Sequence, residues 1–191
     1  QATQAIAALI IGEGKEKAGC AICHDCRNFS REFAEAAACV LAANGITVRI
    51  FESMRPTPEL SFAVRYHNCV AGINITASHN PKEYNGYKVY WSDGAQLPPA
   101  HADAVAAEMR KIDVLDGAKT MSMEQAVKSG LIIFMGEETD EAYYKAVLEQ
   151  SIINENTARE LDGLRVVYTP FHGAGARPVP EILQRIGLKK L

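Results

Sequence analysis

Ser78 and His79 are neighbours, and Lys88 follows them closely in the chain. A hydroxyl beside an imidazole and an ammonium group can do nucleophilic or group-transfer chemistry. A ring nitrogen can take the hydroxyl proton, and a cation can hold an anionic oxygen. The plain alternatives are a solvated turn serine, since Ser is a common turn former, a loop histidine bonded to backbone, and an edge lysine in water. No G-x-S-x-G elbow of the serine-hydrolase kind surrounds Ser78.

The elements that must position these groups are short. Val70 to Ile75 is apolar and β-branched, as a buried strand should be. It breaks into Thr76-Ala77-Ser78-His79-Asn80-Pro81, and Asn85-Gly86 signals a turn. Gly86 to Trp91 returns as a second strand. Its alternation sets Gly86, Lys88 and Tyr90 against Tyr87, Val89 and Trp91. A polar loop at a strand end lies at the sheet edge, where open α/β proteins hold ligands. Backbone N–H groups of His79 and Asn80 can cradle an anion there.

Along the chain, residues 2–12 read as a helix and Gly19 to His24 as a first strand. Ser30 can cap the next helix, whose stripe is Phe29, Phe33, Ala37, Val40 and Leu41. Ile46 to Phe51 is a second strand, parallel to the first. Glu59 to His67 is a short helix, and the strand at Gly86 is antiparallel to its predecessor. Pro98-Pro99 opens a helix with Val105, Met109 and Ile112 on one face. Met123 to Ser129 reads as helix, Leu131 to Phe134 as strand, and Glu137 to Ile152 as helix. Leu164 to Tyr168 begins another strand, and a helix from Pro178 closes at Gly187. The expectation is an α/β fold with a mixed, mainly parallel sheet sandwiched between helices, plus the start of a second similar domain. Residues 1–150 form the first domain, incomplete at its N-terminus. Residues 151–162 are a linker, and 163–191 a truncated second domain, because one strand and one helix cannot bury a core alone.

With 191 residues, 48% of them apolar, the chain has an ordinary globular composition. A net charge of −3 gives no sign of nucleic acid or an anionic membrane as partner. No apolar run reaches the roughly 18 residues of a membrane helix. Five cysteines, an odd number, fit a reduced cytoplasm better than a disulfide framework. Cys20, Cys23 and Cys26 have the spacing of part of an iron–sulfur run. The fourth ligand and its proline are missing, so core cysteines are the better reading and zinc through His24 the lesser one.

The Thr76–Pro81 hexapeptide with Asn85-Gly86-Tyr87-Lys88 resembles the active-serine loop of the α-D-phosphohexomutases, the phosphoglucomutase and phosphomannomutase superfamily. Asp25-Cys26-Arg27 resembles the family's early Asp-x-Arg turn. Arg55-Pro56-Thr57-Pro58 is similar to its loop after the second strand, and Tyr168 to Gly175 to the start of its second domain. The resemblance implies that residues 1–150 are phosphohexomutase domain I. It implies a phosphoserine at Ser78 that exchanges a phosphoryl group between O1 and O6 of an α-hexose phosphate, most simply glucose. The intermediate would be a sugar 1,6-bisphosphate, with glucose 1,6-bisphosphate as activator. His79 and Lys88 would help catalysis, and Arg27 and Asn80 would bind phosphate or substrate. Mg²⁺ would take a phosphoryl oxygen on Ser78 together with three aspartates of a D-G-D-x-D-R loop. That loop does not occur here; Asp113, Asp116 and Asp140 are scattered. The chain on its own should then be inactive, since shared catalysis fails when positioning is lost. Mannose or pentose phosphate, a non-catalytic phosphosugar-binding module and a serine hydrolase are the alternatives.

Overall fold

A computed structural model describes residues 1–152, 160–161 and 163–191. Most of the 151–162 linker expected from the sequence lies outside the described residues. The chain divides into two compact units, Gln1–Met135 and Gly136–Leu191. The first unit therefore ends short of residue 150, and the helix after Gly136 belongs to the second.

In the first unit α1 (Ala2–Gly12), β1 (Cys20–His24), α2 (Ser30–Ala43), β2 (Val48–Phe51), α3 (Thr57–Tyr66) and β3 (Ala71–Ile75) follow in order. Then come β4 (Tyr87–Trp91), α4 (Pro99–Met109), α5 (Met123–Lys128) and β5 (Ile132–Met135). The sheet order is β4-β3-β1-β2-β5. All pairings are parallel except β3 with β4, where Asn74 stands opposite Lys88. The mixed, mainly parallel sheet expected from the sequence is the one observed.

The central strand explains why both faces need cover. Every residue of β1 is buried, the mark of a parallel strand with helices on both sides. Cys20 and Ile22 join an apolar cluster with residues of α1, α2, α4 and α5. Ala21 and Cys23 point the other way, against Leu60, Ala63 and Val64 of α3. Gly72 permits that second contact, since a Cβ there would lie 2.6 Å from Val64 Cγ2. Cys20, Cys23 and Cys69 are buried free thiols, as the core reading expects, and Cys26 is exposed. Burial pushes the Cys20 and Cys23 thiols well up.

Helix α2 buries Ala37 and Leu41 of the expected stripe but not its phenylalanines. It buries Ser30, Ala34, Ala37, Ala38, Leu41 and Ala42, while Phe29 and Phe33 are exposed and lean together at 6.2 Å. Small residues let the helix axis approach the sheet, so the alanine face wins over the aromatic one. Ser30 is no cap either: Phe29 holds that position without a side-chain bond.

In the second unit α6 (Glu137–Leu148) and α7 (Pro178–Arg185) are the long elements. They meet through Arg185, which donates to Glu141 and Glu181. Leu164 to Tyr168, expected as a strand, makes only an isolated bridge between Arg165 and Lys190. Val167 there is fully in solvent. A strand gains little from one pairing with no apolar face to cover.

Candidate active site

The loop from Thr76 to Gly86 connects β3 to β4 and hangs off the carboxyl end of the parallel sheet. Its base is a backbone bond from Thr76 N to Gly86 O of 3.0 Å. Gly86 must be glycine, because a Cβ would sit 2.6 Å from Thr76 O. Thr76 is buried, and its Oγ1 accepts from Ser78 N at 3.1 Å. Ser78 itself is exposed and left-handed, with φ of 60°. A non-glycine residue there costs on the order of 1–3 kcal/mol and persists only where its surroundings impose it.

Those surroundings are supplied by the loop after β1. Arg27 Nη1 donates to Asn80 O (2.6 Å), Pro81 O (2.7 Å) and Tyr84 O (3.2 Å), and Nη2 donates to Ser78 O at 2.6 Å. Arg27 Nε donates to Asp25 Oδ2 at 2.9 Å. Asp25 Oδ1 accepts from Arg27 N and from Ser30 Oγ. Asn85 Nδ2 donates to Ser30 Oγ and Asn28 O. Asp25, Arg27, Ser30 and Asn85 thus form one network across two loops far apart in sequence. Only 7% of the Arg27 side chain is exposed.

The sequence-derived residues fall into two groups. Ser78 Oγ lies 3.4 Å from His79 Nδ1, a long contact between two exposed groups. The Asn80 side chain is exposed, but its backbone N–H donates to Ala77 O and is committed to the turn. Of the two amides expected to form an anion cradle, only that of His79 has no bond of its own among the described residues. Lys88 stands apart from this cluster on β4. It is half-buried, on the sheet face of its partner Asn74, and its ammonium has no hydrogen-bond or ion-pair partner among the described residues. Arg27, expected at phosphate, has most of its donors on loop carbonyls. It also forms an ion pair with Asp25.

Sequence reasoning undervalued three residues. Asn85 was a turn signal and Ser30 a cap, yet both hold the serine loop to Asp25. Their signal was weak, because their partners lie in another loop. Arg55 is the third. It is fully buried beside Glu59, with Nε 3.7 Å from Oε1, and donates to Ser53 and Met54 carbonyls. Its backbone N–H reaches His24 O, joining the β2 loop to the end of β1.

These residues supply no metal ligands beyond the phosphoryl oxygen that Ser78 would carry. Among those described, no three His, Cys, Asp or Glu side chains gather at one place. Asp113 accepts the backbone N–H groups of Leu115 and Asp116, which hold its carboxyl below the usual range. Asp140 is buried against Arg177 at 3.1 Å. Also among the described residues, no helix is long and apolar enough to cross a membrane.

An open α/β sheet flanked by helices, with a serine exposed on a clamped loop at the carboxyl end of its strands, defines an α/β/α domain with a candidate site at the sheet edge, and comparison with known proteins sharpens this. Residues 1–116 match the family model of phosphoglucomutase/phosphomannomutase, alpha/beta/alpha domain I. The chain belongs to the phosphoglucomutase/phosphomannomutase family. It is 41% identical over 172 residues to a phosphoglucomutase of Staphylococcus epidermidis, covering 87% of this chain and 30% of that one. The phosphoglucomutase of Staphylococcus aureus strain USA300 is likewise 41% identical, over 169 residues, with 87% and 29% covered. A structure from Thermus thermophilus described as a phosphomannomutase superposes with a TM-score of 0.78 at 27% identity, covering 99% of this chain and 39% of that one. The chain spans about 30% of the length of these curated relatives.

Proposed function

We propose that this chain is the serine-bearing part of a phosphosugar mutase that moves a phosphoryl group between O1 and O6 of an α-hexose phosphate, with glucose as the hexose. What carries the reading is the exposed Ser78 hydroxyl, held at the end of β3 in a chain of this family. In the forward step a sugar hydroxyl oxygen attacks phosphorus on phosphorylated Ser78. The new P–O bond forms as the bond to Ser78 Oγ breaks, and the proton lost by the sugar hydroxyl ends on Ser78 Oγ. The reverse transfer from the other end of the sugar 1,6-bisphosphate restores the phosphoserine. Such transfer asks mainly for positioning and for positive charge near the equatorial oxygens. In this reading His79 and the Asn80 side chain, exposed beside Ser78, and Lys88 on β4 supply these. The aspartate ligands for Mg²⁺ and the sugar-reading groups then come from further domains of the family's kind, as the resemblance implies, and this chain without them is inactive. The description of the Thermus relative favours mannose as the second reading.

Intact mass tests this, on the 191-residue chain and on the gene's full-length product, before and after glucose 1,6-bisphosphate with Mg²⁺. The expected gain is one phosphoryl group, about 80 Da, on Ser78 of the full-length product, and none in Ser78→Ala. If neither protein gains it, a non-catalytic phosphosugar-binding module replaces the mutase.

A further inference from the structure

Arg27 holds four carbonyl oxygens of one loop with a single guanidinium group: Ser78, Asn80, Pro81 and Tyr84. Carbonyls converging in this way repel one another unless a cation lies between them. Bonds from an ionised donor are about twice as strong as neutral ones. The guanidinium is also planar and rigid, so it fixes the directions as well as the distances of its acceptors. One of those acceptors is the carbonyl of the residue with the left-handed backbone, Ser78. Its opposite side is fixed by the bond from its N–H to Thr76 Oγ1. Ser78 is therefore held at both of its peptide groups, which leaves its side chain as the free part.

The rest of the network keeps the guanidinium in place. Asp25 takes Nε, and it is itself held by Ser30 Oγ and by the Arg27 N–H. Asn85 ties the far end of the serine loop to Ser30, and Asn28 N donates to Lys82 O at 3.2 Å. A loop of this length between two strands would otherwise sample many conformers, and phosphoryl transfer loses most of its rate when the acceptor is misplaced by about 1 Å.

We propose that Arg27 is a positioning residue for Ser78: it closes the serine loop around its guanidinium group, with Asp25, Ser30 and Asn85 as its holders, and does not itself bind the transferring phosphate. The inference rests on the reading of Ser78 as phosphoryl carrier for its catalytic meaning, while the clamp is a property of this chain alone.

Two measurements separate these. In the 191-residue chain, amide hydrogen exchange over residues 77–84 should quicken about tenfold in Arg27→Lys, since lost loop hydrogen bonds open this region locally. Exchange in β1 and β3 should stay as in the wild type. Asp25→Asn, which keeps the shape but removes the charge that orients Nε, should show the same loss more weakly and guards against an Arg27 variant that misfolds. In the full-length product, Arg27→Lys should slow Ser78 phosphorylation by about 100-fold with KM for sugar phosphate within about twofold, the split expected of a group that acts on the transition state only. Unchanged protection of residues 77–84 in both variants overturns the clamp. So does a KM raised about tenfold with phosphorylation rate intact, which makes Arg27 a phosphate ligand. If the loop opens in Arg27→Lys but Ser78→Ala keeps full activity, the clamp stands and the phosphoserine reading falls. If Ser78→Ala is dead and the loop stays closed, the reverse holds.

Discussion

Arg27 and Arg55 follow adjacent parallel strands, β1 and β2, and both end up bound to carbonyl oxygens, yet they do different work. The Arg55 side chain is wholly buried and bonds to its own loop, at Ser53 and Met54, and to Glu59 one helical turn on. Those partners lie within a few residues of it. Arg27 keeps one local partner, Asp25, and spends its remaining bonds on a loop more than fifty residues away. A local arginine stabilises the element that carries it. A non-local one transfers the rigidity of one loop to another, and here the recipient carries the serine.

The contrast predicts where each loss will show. The largest effect on stability should come from Arg55→Leu. Removing one partner of a buried ion pair costs about 3–5 kcal/mol, read as a lower urea midpoint with unchanged slope. Arg27→Leu should cost less, about 1–2 kcal/mol, because Asp25 is partly exposed and can be rehydrated. If its urea midpoint falls as far as that of Arg55→Leu, the two arginines are not different in kind.

Next is Gly86→Ala. The added methyl group meets the Thr76 carbonyl, so the base of the loop must shift, at about 1–3 kcal/mol. Residues 76–78 should lose exchange protection while α3 keeps its own. A thiol reagent offers a milder test. Cys26, beside Arg27, should react with iodoacetamide in the native chain, well before Cys20 and Cys23, whose burial disfavours the thiolate. Quickened labelling of Cys23 in Arg27→Leu would show that the loop change spreads into β1.

The smallest effect concerns the second unit. Hydrogen bonds from Arg185 hold the Glu141 carboxyl below its ordinary range. A lowered folded value stabilises above the unfolded one and is lost as pH falls through the folded one. Protection at the α6–α7 contact should therefore weaken only on acidification below the normal glutamate range, and Glu141→Gln should remove that dependence. The group is exposed, so global stability should hardly move.

Much of the first unit was legible in the sequence for physical reasons. The strands at Cys20, Val48 and Ala71 are short, largely apolar segments bounded by Gly and polar turns, and the helical pattern between the first two makes them a parallel pair. The antiparallel return at Tyr87 followed from a loop too short for a crossover. The Ser78 loop was legible because its residue types are dense and specific. Of the stripe expected on α2, Ala37 and Leu41 are buried but Phe29 and Phe33 are not, because hydrophobicity says which residues prefer burial but not which face fits, and the alanines at 34, 38 and 42 fit the sheet more closely. Leu164 to Tyr168 misled because a strand exists only with a partner.

Sequence by itself determined the elements, their order and the presence of a serine, an imidazole and an ammonium on one strand–loop–strand segment, because these depend on neighbours in the chain. Tertiary structure decided what holds that segment still. Asp25, Arg27, Ser30 and Asn85 are ordinary turn residues until β1 and β3 lie side by side, and only that pairing brings a guanidinium group into the middle of a loop it never touches along the chain.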